Sequence, residues 1–533
     1  MPLDTNKSVC FPSESEKSLF DGLQKIPVFS LKKRFNDFLP LFESPSLNTV
    51  LKICNFPLKT ILKFCNIYKK YSKNLQLSLE NYSKNLQLSL ENYSKNLQYI
   101  IMLKRKFYLF LEEWKKSKKN ECLLVKGARQ IGKSFIIRQF GLENYKNFIE
   151  MNFEERPELT TIFEGNLSVD ELTQKISLFL NSVSFVPGET LIFLDEIQSC
   201  PQARTSLKFW AQDGRFDVIA SGSLLGINYR EVSSFPVGYE RQVEMHSLDF
   251  EEFLWARGIS DEIIANLKKH FDEKLPVEKA VNDKMEKLLR EFMVIGGMPA
   301  VVNSFLETNN YGEVHKTQMM ILDAYLNDIA KYAPAKDKPK ARNCYLSIPR
   351  QLSKENTKFL YGIVENGGTA RKYTNSLDWL RDSNIVRYCY NVVPPSFPLT
   401  AYVRQEQFRI YANDIGLLVA MYGFEMKAAL INDTLTGPVK GGIYENLIAD
   451  FLLKKNIPLF YFKRDDSSSE IEFLLEKESS VVPIEVKSHK GSTSSLDTIL
   501  KKDEVKYGYK IMNSNLGKSG KKITIPHYMT MFL

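Results

Sequence analysis

The 533-residue sequence contains no run of 18 or more apolar residues, so neither a membrane-spanning helix nor a membrane partner is expected. Its start, Met1-Pro-Leu-Asp-Thr-Asn, has no basic stretch leading into an apolar one, which argues against secretion. Cysteine is sparse. The seven residues form no C-x-x-C pair, fit neither a disulfide framework nor a zinc site, and read as ordinary thiols of a reducing cytoplasm. A basic field over the whole chain is missing too. Residues 1–101 hold 14 Lys/Arg against 8 Asp/Glu, so of the net +9 only a surplus of three falls on the other 432 residues. That distribution argues against a body that binds nucleic acid by bulk charge. What remains, 44% hydrophobic and 25% charged, is the composition of a soluble globular protein, long enough for two to four domains.

The first 101 residues read as an extension under little constraint. Tyr71-Ser-Lys-Asn-Leu-Gln-Leu-Ser-Leu-Glu-Asn81 recurs without change from Tyr82 to Asn92, and a partial third copy runs from Tyr93 to Gln98. The 11-residue period suits a helix with a slight right-handed supercoil. Two readings follow: an oligomerising or partner-binding stalk, or a recent duplication, which two identical copies favour. On the second reading Met102 is the principal start, because Met102-Leu-Lys-Arg opens directly onto the next feature.

That feature is Gly127-Ala128-Arg129-Gln130-Ile131-Gly132-Lys133-Ser134, a complete G-x-x-x-x-G-K-[ST] loop. It follows the apolar run Cys122–Val125 and precedes a helical stretch, Phe135–Phe140, which is the strand–loop–helix context of a phosphate cradle. The glycines let the backbone turn its N–H groups onto phosphates. Lys133 is expected at the β- and γ-phosphates of ATP and the Ser134 hydroxyl on Mg²⁺. A continuous apolar run, Thr190–Leu194, then ends in Asp195-Glu196. Asp195 is expected to hold the hydrated Mg²⁺ and Glu196 to act as the general base on water. A further strand, Phe216–Ala220, leads into Ser221-Gly-Ser223, where either serine can sense the γ-phosphate or simply form a turn. Arg241 reads either as a stabiliser of phosphate charge or as a structural ion pair.

Asp195-Glu-Ile-Gln198, Ser221-Gly-Ser-Leu-Leu-Gly226 and Leu248-Asp-Phe-Glu-Glu-Phe-Leu254 resemble the prokaryotic AAA-superfamily ATPases whose P-loop domain is joined to a C-terminal domain of unknown function. Ile295-Gly-Gly-Met-Pro299 and Tyr325-Leu-Asn-Asp-Ile-Ala330 are similar to landmarks of that family. The resemblance runs from near Met102 almost to the C-terminus and implies ATP binding with Mg²⁺ and hydrolysis.

Further along, helix candidates around Asn356–Asn366 and Lys372–Ser383 precede a strand, Ile385–Tyr390, in the layout of a winged helix. Arg371, Lys372 and Arg381 can meet DNA phosphates, but Asp378 and Asp382 share their helix and Trp379-Leu380 read as core anchors, so an intramolecular brace is an equal reading. Last come Glu445 in a helical stretch, then Glu470-Ile-Glu472, then Glu485-Val-Lys487. This order resembles the PD-(D/E)xK nuclease core, which implies a Mg²⁺ site at Glu445, Glu472 and Glu485, with Lys487 orienting water. Position 472 departs from it, being Glu where Asp is usual.

The expected architecture is α/β: an AAA-like P-loop NTPase over residues 102–260, a helical lid over 261–340, a winged helix over 341–400 and a restriction-endonuclease-like domain over 401–533. The expected function is a cytoplasmic Mg²⁺-dependent ATPase that couples nucleotide state to a nuclease-like or nucleic-acid-binding domain. Its rival is a nucleotide-gated switch or scaffold with an inert nuclease-like domain and a protein partner. A homo-oligomer suits either.

Overall fold

The computed structural model describes residues 103–117, 120–180, 183–223, 238–354, 358–466, 469–488 and 494–533. The extension, its repeat and Met102 lie outside the described residues. The described chain opens with α1 (Lys106–Ser117), β1 (Cys122–Lys126), α2 (Lys133–Asn144), β2 (Asn147–Asn152), α3 (Val169–Phe179), β3 (Thr190–Asp195), α4 (Pro201–Asp213), β4 (Asp217–Gly222) and β5 (Glu240–Glu244). These five strands form one sheet in the order β2-β3-β4-β1-β5, with every pairing parallel. Side chains alternate across it: Leu123 and Val125 enter one apolar core, Cys122 and Leu124 the other. A sheet buried on both faces needs near-continuous apolar strands, which is why Thr190–Leu194 is polar only at its first residue.

Helices follow: α5 (Phe250–Ala256), α6 (Asp261–Glu273), α7 (Lys279–Ile295), α8 (Pro299–Thr308), α9 (Tyr311–Tyr332) and α10 (Lys338–Leu352). Then come the single turn α11 (Tyr361–Val364), α12 (Ala370–Asp382), β6 (Val386–Val392), β7 (Val403–Ala412), α13 (Ile415–Met421) and α14 (Glu425–Ile431). The chain finishes with α15 (Gly437–Leu453), β8 (Phe460–Lys463), β9 (Glu470–Lys477), β10 (Ser480–Lys487), α16 (Ser494–Leu500), β11 (Gly508–Met512), β12 (Gly517–Ser519) and β13 (Lys522–Ile525). Strands β6–β13 make a second sheet ordered β12-β13-β11-β10-β9-β8-β6-β7.

Two expectations need correction. The winged-helix boundary at residue 400 falls between β6 and β7, yet these strands pair with each other, and β6 also pairs with β8. The hairpin is therefore built into the C-terminal sheet, because β6 buries apolar residues that a free wing would leave wet. The expected helix around Asn356–Asn366 begins outside the described residues, and from residue 358 on it holds only the single turn α11, which is capped at Glu365 shortly before Gly367 and Gly368. The helices between the two sheets share their core with both. One apolar cluster runs from Leu103 through Leu289 and Tyr325 to Met531.

The joint that unites these layers is Asp414, fully buried at the start of α13. Its carboxylate accepts hydrogen bonds from Ser247 Oγ (2.9 Å), from the Gly297 N–H (2.8 Å), and from the N–H groups of Gly416 (2.9 Å) and Leu417 (3.2 Å). The segment after β5, the turn between α7 and α8, and the N-cap of α13 thus share one side chain. Gly297 has no substitute here, because a Cβ would lie 2.0 Å from the Leu248 carbonyl oxygen. Asp414→Ala strands several buried donors at about 1–3 kcal/mol each. Urea unfolding is expected to show a loss of about 3 kcal/mol or more; a loss below about 1 kcal/mol would contradict this role.

Candidate nucleotide site and the C-terminal carboxylate cluster

β1 ends at Lys126, and the next eight residues wrap into a loop capped by α2. Gly127, Gln130 and Gly132 have φ of 147°, 64° and 90°, so successive N–H groups turn inward, as anion binding requires. A Cβ on Gly127 would meet the Met245 carbonyl oxygen at 2.2 Å. The loop is also anchored from outside: the buried Arg105 donates to the carbonyls of Ile131 (3.2 Å) and His246 (2.7 Å) and pairs with Glu252 (3.2 Å). Ala128 and Ile131 are buried in the core beneath. Lys133 Nζ folds back on the carbonyls of Gly127 (3.0 Å) and Ala128 (2.9 Å). Burial lowers its pKa, and the Glu196 and Asp195 carboxylates oppose that. Ser134 follows in the first turn of α2, half-buried.

Opposite the loop, β4 sets Ser221 beside β1, in register with Val125, and β3 on the far side of β4 ends in Asp195. Asp195 accepts from the Ser221 hydroxyl, from Asn152 Nδ2 (3.2 Å) and from the Glu196 N–H (3.0 Å). Glu196 is left-handed, φ 52°, and Gln198 Nε2 holds its Oε2 at 2.6 Å. Burial raises the Glu196 pKa, with the Gln198 hydrogen bond and Lys133 opposing. Ser223 is buried one residue past β4. The loop donors and the Asp195 carboxylate fit a nucleotide phosphate with Mg²⁺.

Arg241 does not join this group. Its register partner on β1 is Leu123, four residues before the loop, and it pairs with Glu121 (3.6 Å) and lies over the Phe110 ring (5.2 Å). Of the two readings, the geometry is that of the structural ion pair. A different arginine is engaged instead. Arg129, inside the loop, bonds Asp328 of α9 at 2.5 Å. Asp328 is joined there by Tyr325, whose hydroxyl donates to the Arg129 carbonyl (3.3 Å) and accepts from Asn413 Nδ2 (3.2 Å). Tyr332 donates to Glu154 (2.6 Å). Sequence reasoning missed Arg105, Asn152 and Asp328. Asp328 lay within a recognised landmark, but nothing local pairs it with a residue 199 positions away.

Residues 119–254 match the model of a family described as an AAA domain. These residues, with their phosphate loop, form an AAA domain. Residues 286–428 and 440–528 match two domains of unknown function. Among solved structures the chain is similar to a Walker-type ATPase of Pyrococcus abyssi, at 16% identity over 60% of this chain and 96% of that one, TM-score 0.35. It is also similar to the Aeropyrum pernix Orc1 protein in complex with DNA (15% identity, 59% and 88%, TM-score 0.26). A third is AMPPCP-bound DnaA from Aquifex aeolicus (15%, 51% and 87%, TM-score 0.24). No curated protein matches the chain.

Beyond the AAA domain, the second sheet gathers the other predicted cluster. Lys487 Nζ lies 3.0 Å from Glu485 and 3.4 Å from Glu472, whose other oxygen accepts from the Val486 N–H (3.3 Å). Glu445 instead accepts from Arg409 Nη1 (2.7 Å) and from the Tyr411 hydroxyl. Arg409, wholly buried, also binds Glu470, which pairs with Lys463 at 2.6 Å. Four carboxylates thus meet three cations. Among the described residues no group of three or more Asp, Glu, His or Cys is arranged to hold a metal ion. Arg409, Lys463 and Lys487 lie against these carboxylates as counter-charges, while Glu485 keeps one buried oxygen without a partner. Arg409 was absent from the sequence reading, and its one signal was alternation with Tyr411 on a strand.

Of the α12 cations expected to meet DNA, Lys372 pairs with Glu365, and Arg381 with Asp378 (3.0 Å) and Asp382 (3.0 Å), while Arg371 is exposed.

Burial raises the Glu472 pKa to about 7, against the pull of Lys487. The folded protein then keeps a proton that the unfolded chain has released, so this group costs stability as pH climbs from about 4.5 to 7. Glu472→Gln is expected to raise stability at pH 8 by up to about 3 kcal/mol and to change little at pH 4. Paired thermal melts across pH 4–8 would show it; an equal effect at both ends would contradict it.

Proposed function

We propose that the chain is a Mg²⁺-dependent ATPase in which the nucleotide state of the AAA domain sets the placement of the C-terminal half. The observation that carries this reading is the Arg129–Asp328 ion pair, which ties the phosphate loop to α9. Bound Mg²⁺ would neutralise phosphate charge beside Ser134 and Asp195. Lys133 exchanges the carbonyls of Gly127 and Ala128 for the β- and γ-phosphates. Glu196, oriented by Gln198, takes the proton of the attacking water, and its raised proton affinity suits that task. Ser221, bonded to Asp195, is placed to register the γ-phosphate, with Ser223 just beyond it.

Arg129 is the link to the rest of the chain. A terminal phosphate in the loop competes with Asp328 for the same guanidinium, so α9 is held differently with and without it. Tyr325 and Asn413 pass the difference to the junction of β7 and α13.

A second observation favours the switch reading for the output. The order α15-β8-β9-β10-α16-β11, with β8–β10 antiparallel and β11 parallel to β10, supports a nuclease-like ancestry. Arg409 and Lys463 compensate the carboxylates where such a fold would need metal, which favours recognition of a target without cleavage.

Isothermal titration is expected to show no ATP binding by Lys133→Ala. Glu196→Gln should retain binding while turnover falls about 100-fold or more. Tight binding by the first variant, or full turnover by the second, would refute the hydrolytic assignment. Plasmid incubated with the protein, Mg²⁺ and ATP is expected to stay intact; nicking that disappears in Lys487→Ala would overturn the non-cleaving output.

A further inference from the structure

A large cavity in the second half of the chain is neither the phosphate loop nor the carboxylate cluster. It encloses about 1030 Å³ between the C-terminal end of α10, the turn α11 and the edge of β7. Its apolar side is aromatic: Phe359, Tyr361 and Tyr422 line it. These rings are fixed. Tyr422 donates to the Pro349 carbonyl (2.9 Å) and bonds Ser353 (3.0 Å), and Tyr361 stacks on Tyr373 with centroids 6.4 Å apart. Gln351 clamps the floor by exchanging hydrogen bonds with the backbone of Leu360, 3.0 Å each way. Basic side chains line it as well. Among the described residues that line it, Arg350, Lys354 and Lys358 are cations and Glu406 is a carboxylate. Arg350 and Lys354 are exposed.

Rigid aromatic rings beside a cationic rim are the chemistry that stacks bases and holds phosphates. A volume at the upper end of ligand pockets holds more than one nucleotide unit. We propose that this cavity binds a segment of single-stranded nucleic acid, its bases against Tyr361 and Tyr422 and its phosphates along Arg350 and Lys354. The inference deepens the reading of the C-terminal half as a recognition module and does not depend on ATP hydrolysis.

Fluorescence anisotropy with a labelled 15-mer of deoxythymidylate tests it, using the full chain carrying Lys133→Ala so that the phosphate loop does not contribute. The Arg350→Glu/Lys354→Glu variant is expected to weaken binding at least about 10-fold at 0.1 M salt. It should also flatten the salt dependence, each lost phosphate contact removing about 0.7 from the logarithmic slope. Tyr361→Leu is expected to weaken binding about 5-fold or more with the slope unchanged. The reversal Arg371→Glu/Lys372→Glu on α12 should have less than about a 2-fold effect, and unchanged melting curves confirm that each variant folds. Equal binding by the cavity variants and their parent would overturn the proposal. So would competition by polyglutamate as strong as by unlabelled oligonucleotide, which would mark an acidic-peptide surface. Thymidine monophosphate binding as tightly as the 15-mer would overturn the strand in favour of a free nucleotide. Calorimetric ATP binding by the chain with Lys133 intact reports separately on the nucleotide reading, so the two can fail independently.

Discussion

The architecture hangs on the carboxylate of Asp414. A buried acid is costly unless its oxygens are satisfied, and here four donors from three separate stretches of chain satisfy them. The same demand explains the glycines at 296 and 297. The turn must bring a backbone N–H to the acid while the Leu248 carbonyl passes within contact of Gly297, and any side chain there would collide. Lys454 reinforces the joint, lying 4.0 Å from Asp414 and donating to the Leu248 carbonyl at 2.8 Å. With this point fixed, the α7–α8 turn, α13 and the segment after β5 cannot move separately.

Against that rigid joint the Arg129–Asp328 contact is a movable one. The Arg129 side chain is 39% exposed, and a pair so placed contributes about 1 kcal/mol or less. A bound phosphate can outbid an attraction of that size, whereas nothing in the nucleotide cycle can replace the four bonds to Asp414. Coupling between sites is commonly worth about 1–3 kcal/mol, the scale at which one exchanged guanidinium partner matters. Helix α9 spans both regimes. Its last turns meet the phosphate loop, and Gln318 nearer its start donates to the carbonyls of Ile295 (2.9 Å) and Gly416 (3.0 Å) beside the Asp414 joint.

What was legible in the sequence was what local pattern carries. The phosphate loop, the apolar strand ending at Asp195-Glu196 and the helix-rich middle all announce themselves within a few residues. The central strand Thr190–Asp195 came through because it buries both faces, whereas Glu240–Glu244, with no buried residue, carried no such signal. Pairings between distant residues did not. Arg129 with Asp328, and Arg409 with Glu445 and Glu470, depend on which elements the fold brings together, and a lone arginine in a strand reads as solvent-facing until its neighbours are known. The hairpin β6–β7 failed for a similar reason. Its strands suit a free wing or a sheet interior equally well in sequence, and only the partner strand β8 decides.

The two clusters also show opposite treatments of buried acids. Around Asp195 the partners are neutral donors, Ser221, Asn152 and a backbone N–H, which leave the negative charge available to a cation. Around Glu445 and Glu472 the partners are themselves cations, which use that charge up. The central claim is that nucleotide in the first cluster is felt along α9, and hydrogen exchange with and without Mg²⁺ and a non-hydrolysable ATP analogue tests it most directly. Protection in Tyr325–Tyr332 is expected to fall when the analogue binds, as Arg129 leaves Asp328, and an Asp328→Asn variant should show little further change. Changes confined to the phosphate loop and the residues around Asp195, with α9 unaltered, would contradict the account.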